Sequence, residues 1–221
     1  MKPIPPLPVS WPYAMQGRKD VSGVFPWPEG GEGWFRFGPE DLVFGEALEL
    51  PEAFGRGGVR RWGEVVVRPY RRGGLLRHVN ERLYVSATRF AQEFVVHRVL
   101  WQAGFPTVEP VGYAWKRRAW GVEGCYFTRY APIEPWPRHW ETPGVPQALK
   151  AQIQALCDWG LHAPDLNATN VMLGPEGVLL LDWDRAQWTT GELFSRYRAR
   201  LLRSLEKLGA PNALRQEVEA W

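Results

Sequence analysis

The sequence predicts an α+β protein with two lobes. Between residues 35 and 131 it carries short runs of β-branched and aromatic residues and one long helical pattern. A proline-broken connector, "APIEPWPRHWETPG", follows, and residues 132–221 are mostly of helical type around a short hairpin. Strands and helices that are segregated along a chain are typical of the α+β class.

Composition excludes several other classes of protein. The 221 residues are 45% hydrophobic and 23% charged, which is ordinary for a globular chain. No apolar run approaches the roughly 18 residues of a membrane-spanning helix, and the proline-rich start lacks the pattern of a signal peptide. We therefore expect a cytoplasmic protein. Cys125 and Cys157 have no CxxC spacing, so neither a disulfide framework nor a zinc site is expected.

Basic residues are concentrated in residues 55–89, which contain nine Arg against two Glu. Such a segment could meet phosphate, nucleic acid or an anionic membrane, or it could simply be a solvated basic face. It lacks the interleaved aromatic residues of single-strand binders, so no specific nucleic-acid partner is expected.

The first lobe is predicted element by element. Residues 1–34 are rich in Pro, Gly and Trp, which predicts an irregular N-terminal arm. Strands are predicted in "DLVFGEALEL", "GGVRRW" and "EVVVRPY", and then in "VGYAW" and "GCYFTRY" on either side of the polar turn "KRRAWGVE". Between these two groups of strands, a helix is predicted from the N-cap Ser86 to Gly104.

That helix carries a carboxylate among apolar residues. At 100° per residue, Glu93 lies on the same side as Val96 and Leu100. A buried lone charge is very costly, so Glu93 predicts a cation nearby.

The second lobe is predicted as a helix in "PQALKAQIQALCDWG", a hairpin, and a last helix at roughly residues 191–208. One face of the last helix is apolar, and the other carries Arg196, Arg200, Arg203 and Lys207. This basic face leaves peripheral membrane contact open, although packing against the lobe is the favoured interpretation.

The hairpin brings three polar residues towards one place. Asn170 leads into "VML", the turn "GPEG" follows, and Asp182 comes after "VLLL", so Asn170 and Asp182 should be neighbours. Amide and carboxylate oxygens suit Mg²⁺, which also binds waters and substrate phosphates. Asp165 precedes the hairpin and could accept a proton from an attacking hydroxyl.

Two motifs resemble one known family. The run "DLNATNVMLGPEGVLLLDWDRAQ" is similar to the catalytic and metal loops of the bacterial Kdo kinase and lipopolysaccharide core kinase family, and "VRPYRRGGLL" is similar to a stretch of its N-terminal lobe. The likeness covers roughly residues 50–208. It implies a protein kinase-like fold that has a small antiparallel N-lobe with one long helix and binds ATP with Mg²⁺ between its lobes.

The resemblance also implies residue roles. Asp165 becomes the catalytic base, and Asn170 and Asp182 hold Mg²⁺. Arg68 stands where many kinase-like proteins have a phosphate-clamping lysine, and Glu93 stands where its helix partner would be. Gly57 and Gly58 are the expected nucleotide-binding glycines, although their "GRGGVRRWG" stretch matches a glycine-rich nucleotide loop poorly.

The resemblance implies that the acceptor is a saccharide hydroxyl, in a glycolipid at the inner face of the cytoplasmic membrane. A small-molecule kinase of the aminoglycoside or choline type is an alternative. A nucleotide-binding pseudokinase is another, because Arg68 replaces the lysine and Ala163 stands where a histidine usually precedes the base, with His162 one residue earlier.

Asp184 is either a second metal contact or a partner for Arg185. The oligomeric state is left open.

Overall fold

The computed structural model describes residues 21–26, 32–37, 47–49, 59–70 and 83–221. The chain divides into two compact units. The helical unit includes Val99–Val108 and Ala131–Trp221, and the sheet unit includes Glu109–Tyr130 and the described residues before position 99. Residues 99–108, expected in the first lobe, therefore group with the helical unit.

Seven strands of the sheet unit form one antiparallel sheet within the described part of the chain, in the order β1-β2-β6-β7-β5-β4-β3. The strands are β1 (Val21–Pro26), β2 (Glu32–Phe37), β3 (Ala47–Glu49), β4 (Arg60–Trp62), β5 (Val65–Pro69), β6 (Pro110–Arg118) and β7 (Gly121–Arg129). The mixture of antiparallel sheets and helices is compatible with the predicted α+β class.

The prediction of an irregular arm over residues 1–34 is wrong for two described segments. β1 pairs with β2 along its whole length, and β2 pairs with β6. Their "VSGVFP" and "GWFRF" runs contain β-formers, and Pro26 lies at the end of its strand, where a missing N–H is tolerated. Pairing with strands distant in sequence outweighs the local proline and glycine signal.

The predicted polar turn "KRRAWGVE" is mostly strand. β6 and β7 continue until Arg118 pairs with Gly121, so the turn itself contains only Ala119 and Trp120. Opposite charges on the two strands support this extension, because Arg118 donates to Glu123 at 2.8 Å.

Helix α1 (Thr88–Gln102) confirms the predicted helix. It begins after Ser86, whose Oγ accepts from the Thr88 N–H at 3.4 Å, and the chain leaves it through Gly104, whose φ is 77°. Phe90 and Phe94 of α1 are buried in one aromatic cluster of the sheet unit, with Tyr70, Tyr84, Tyr113 and Tyr126. This packing fixes the face of α1 that also carries Glu93.

The helical unit contains the predicted hairpin. β10 (Val171–Gly174) and β11 (Gly177–Leu180) pair in antiparallel register around the turn at residues 175 and 176. The other elements are β8 (Glu134–Pro135), α2 (Val145–Asp158), β9 (Leu161–His162), β12 (Gln187–Trp188), α3 (Phe194–Lys207) and α4 (Asn212–Glu219). No helix in the described ranges has the length and apolar character needed to cross a membrane.

The short helix α4 was not predicted. Its eight residues, "NALRQEVE", are mostly polar, and Leu214 and Val218 are its buried apolar positions. These two residues are four apart and therefore lie on one face, but two residues make a weak sequence signal.

Candidate functional site

The hairpin brings three predicted site residues together. The Leu181 N–H donates to the Asn170 carbonyl at 2.9 Å, which closes the open end of the hairpin. The Asn170 side-chain amide donates to the Asp165 carbonyl at 2.9 Å and lies 3.5 Å from Asp182 Oδ2. Asn170 thus links the segment that carries Asp165 to the segment that carries Asp182.

The loop between Asp165 and Asn170 is organised by Asn167. Its Oδ1 accepts from the Thr169 N–H at 2.9 Å, and its Nδ2 donates to the Asp165 carbonyl at 2.8 Å. This side chain caps the one-turn 3₁₀ helix Ala168–Asn170. The "DLNATN" run therefore gives the loop one preferred conformation, in which the Asp165 carbonyl accepts two side-chain amides.

Asp182 has a left-handed backbone, with φ of 68°. The residues on either side of it are held by Thr107, whose Oγ1 donates to the Leu180 carbonyl at 2.7 Å and accepts from Trp183 Nε1 at 3.1 Å. Trp183 is only 1% exposed and therefore lies in the core. Asp and Asn tolerate this conformation better than most residues, so the strand can turn sharply here and still carry a carboxylate.

Helix α3 anchors the loop on both sides of Asp165. Tyr197 Oη accepts from the Ala163 N–H at 2.8 Å and donates to the Leu161 carbonyl at 2.7 Å. Further along the same face of α3, Ser204 Oγ accepts from the Ala168 N–H at 3.0 Å. Burial raises the pKa of Tyr197 above its ordinary value, so the phenol stays protonated and able to donate.

Tyr197 therefore supports the loop at the position where a histidine was expected. Ala163 has no side chain that could do this, and His162 lies in β9 with its ring centre 6.0 Å from the Tyr197 ring. Burial, with a contribution from Arg196, lowers the pKa of His162. Tyr197 was not predicted as a residue of the site, although its seven-residue spacing from Ser204 places both residues on one face of a helix.

We expect Tyr197→Phe to destabilise the protein by about 1–3 kcal/mol, because it leaves the buried Ala163 N–H and Leu161 carbonyl without this partner. It should also lower any activity that depends on Asp165, since the loop loses one of its two anchors. Thermal unfolding and turnover of the variant would measure both effects.

Tyr130→Phe is the matched control, because Tyr130 lies in the sheet unit and is half-buried. Equal stability of Tyr197→Phe and the unmodified chain would show that these two hydrogen bonds do not hold the loop.

Two arginines contact the Asp165 carboxylate. Arg185 was expected only as a possible partner for Asp184, and Arg200 only as part of a basic helix face. Arg185 binds both oxygens, with Nε 3.0 Å from Oδ2 and Nη2 2.6 Å from Oδ1. Arg200 Nη2 lies 3.5 Å from Oδ1. Arg185 also has a left-handed backbone, with φ of 62°, which turns it back towards the loop. Charge in the sequence gave no means of choosing these two among 22 arginines.

In the sheet unit, the buried Glu93 has the cation that its burial predicts. One carboxylate oxygen accepts from Arg68 Nη2 and the other from the Tyr70 hydroxyl, and Glu93 is 2% exposed. Burial, and then the charge of Glu93, raises the pKa of Tyr70 well above its ordinary value. The contact of Tyr70 with Glu93 was not predicted.

The predicted nucleotide-loop residues Gly57 and Gly58 lie outside the described residues.

The donor set near the hairpin fits Mg²⁺ better than a metal that needs several protein ligands. Among the described residues, no three His, Cys, Asp or Glu side chains form a metal-binding group. Asn170 uses its amide nitrogen inside the loop, which leaves its Oδ1 as the atom that could bind a cation beside Asp182. One carboxylate and one amide oxygen are enough for an ion that keeps waters and substrate phosphates as its remaining ligands.

Comparison with known proteins gives the same family as the motifs. The chain is 31% identical to a 3-deoxy-D-manno-octulosonic acid kinase of Xylella fastidiosa strain M12, and the match covers 66% of this chain and 64% of that protein. The proteins of the same name from strains 9a5c and M23 are 31% and 30% identical, with the same coverage.

These matches have a limited extent. The chain spans slightly less than two thirds of the length of these relatives, and no family model matches it. Within the matched part, the predicted resemblance to the Kdo kinase family is confirmed, and this chain is a relative of the 3-deoxy-D-manno-octulosonic acid kinases.

Proposed function

We propose that this protein is an ATP- and Mg²⁺-dependent kinase that transfers the γ-phosphoryl group to a hydroxyl of a sugar-acid acceptor, in a glycolipid at the inner face of the cytoplasmic membrane. The observation that carries the proposal is the double contact of the Asn170 amide, which joins the Asp165 loop to Asp182. The names of the relatives support a sugar acid as the acceptor. The proposal includes a protein kinase-like fold with two lobes.

Asp165 acts as the base in this proposal. Its side chain is 19% exposed, while its carbonyl is held by Asn167 and Asn170. Accepting the hydroxyl proton and orienting the oxygen for in-line attack is the task of a base in phosphoryl transfer. The fixed loop holds the carboxylate in place before the acceptor binds.

Asn170 Oδ1 and the Asp182 carboxylate would hold Mg²⁺, which neutralises charge on the transferring phosphate. Arg68 would contact the nucleotide phosphates through its fork, because its side chain is about one third exposed. Glu93, fixed by the Tyr70 hydroxyl, would hold that guanidinium in one orientation.

A radiolabelled transfer assay tests the proposal. The purified protein is incubated with γ-labelled ATP, with Mg²⁺ or with EDTA, and with each of three acceptor classes. These are a glycolipid that bears 3-deoxy-D-manno-octulosonic acid, neutral free sugars, and amino alcohols. We expect Mg²⁺-dependent label only in the glycolipid.

Two results would contradict the proposal. Label in the amino alcohols instead would indicate a small-molecule kinase. ATP binding without transfer to any acceptor would indicate a pseudokinase.

A further inference from the structure

Helix α3 presents a third residue to the Asp165 loop. Tyr197, Arg200 and Ser204 are spaced by three and four residues, so all three lie on one face of the helix. Tyr197 and Ser204 bind the backbone on either side of Asp165, and Arg200 lies between them. The two hydrogen-bonded anchors therefore fix where the Arg200 guanidinium can reach.

The two arginines beside Asp165 differ in how closely they bind its carboxylate. Arg185 forms a close two-pronged pair with the carboxylate, and this pair satisfies most of the charge of Arg185. Arg200 reaches Oδ1 only at 3.5 Å, and its side chain is 43% exposed. Across the described residues this loose contact is the only ion pair of Arg200. Most of the five N–H donors of its guanidinium are thus available to a second anion next to the base.

We propose that Arg200 binds the carboxylate of the acceptor and so selects a sugar acid over a neutral sugar. This inference rests on the proposed function, in which an acceptor hydroxyl faces Asp165. A sugar acid carries a hydroxyl and a carboxylate only a few bonds apart, and the structure offers a base and a guanidinium that share the oxygen Oδ1. The planar fork of arginine matches a carboxylate in geometry as well as in charge.

Binding of the acceptor would also change the contacts of the Asp165 carboxylate. A carboxylate placed on Arg200 competes with Asp165 for the same guanidinium and draws it away from Oδ1. Oδ1 then loses one of its two cations and is open to the acceptor hydroxyl. A neutral sugar has no group that could displace Arg200, so Oδ1 keeps both arginines. The acceptor's own carboxylate therefore favours the arrangement in which Asp165 can take the proton.

Equilibrium binding tests this proposal without requiring turnover. The full chain, with Mg²⁺ and a non-hydrolysable ATP analogue, is titrated by NMR with 3-deoxy-D-manno-octulosonic acid and separately with its methyl ester. We expect Arg200→Gln to weaken binding of the acid by roughly 10- to 100-fold, the range for a charge-assisted hydrogen-bonded pair, and to leave binding of the ester unchanged. Arg200→Lys keeps the charge but loses the fork, so its affinity for the acid should be intermediate.

Arg203→Gln is the matched control, because Arg203 lies on the same helix and its side chain is exposed. It removes the same charge and should bind the acid as the unmodified chain does. Thermal unfolding of each variant would check that the fold is retained. Equal affinity of the unmodified chain for acid and ester, or an acid affinity that Arg200→Gln leaves unchanged, would overturn the proposal.

Phosphate transfer to the acid, to its ester and to the glycolipid, measured on the same variants with ATP in place of the analogue, separates this inference from the proposed function. Acid binding that depends on Arg200 without any transfer would overturn the kinase proposal and support the carboxylate site. Transfer that is equally fast to acid and ester would support the kinase and overturn the carboxylate site. Neither binding nor transfer would overturn both.

Discussion

Replacing Asp165 with Asn should lower phosphoryl transfer by roughly 100- to 10,000-fold, the usual contribution of a general base, while ATP binding is unchanged. Asparagine has the same shape and leaves the backbone carbonyl that accepts from Asn167 and Asn170. The loop should therefore keep its conformation. What disappears is the carboxylate that could take the hydroxyl proton, so the loss falls on the chemical step.

Single-turnover transfer from labelled ATP and calorimetric titration with ATP and Mg²⁺ would separate these two effects. Asp158→Asn is the control, because Asp158 is an exposed aspartate at the end of α2 in the same unit. It should transfer phosphate at the rate of the unmodified chain. Undiminished transfer by Asp165→Asn would falsify the assignment of the base.

The same substitution should change stability little. Arg185 is 57% exposed and Arg200 is 43% exposed, so their pairs with Asp165 are screened by solvent. A large fall in the unfolding temperature would instead mean that the carboxylate mainly holds the loop together, and the loss of activity could then no longer be assigned to the base.

Local patterns in the sequence were sufficient for much of the fold and part of the site. The run from Asn170 to Asp182 contains its own turn and two short apolar strands, so its geometry depends on few distant residues. Helix α1 has its cap and stop signals within the chain next to it, and its periodicity revealed that Glu93 needs a cation. For these features, sequence neighbours are also the neighbours in space.

The remaining features depend on contacts between distant parts of the chain. The strands β1 and β2 are stabilised by pairing, and β2 pairs with β6, about 80 residues later in the sequence. Tyr197 and Arg200 meet the Asp165 loop from more than 30 positions away. A pattern search cannot choose one arginine among many when its role is set by the helix face that packs against the loop.

Replacing Asp182 with Asn should remove the dependence of ATP binding on Mg²⁺ and lower transfer by roughly 1,000-fold, because a bound metal ion contributes several kcal/mol of transition-state stabilisation. The left-handed backbone of Asp182 makes this substitution informative. Asparagine adopts a φ of 68° as readily as aspartate does, so the turn should survive and only the negative charge is lost. Calorimetry with ATP, with and without Mg²⁺, measures the first effect, and single-turnover transfer measures the second.

Glu176→Gln provides the matched control, because Glu176 is an exposed carboxylate at the turn of the same hairpin. It removes one negative charge from the hairpin at the end opposite to Asp182, and Mg²⁺-dependent binding should be unchanged. If both variants weakened binding equally, the general charge of the hairpin would be responsible. If neither did, the metal would have to be bound without Asp182, and the proposed site, which pairs the Asn170 amide oxygen with the Asp182 carboxylate, would be wrong.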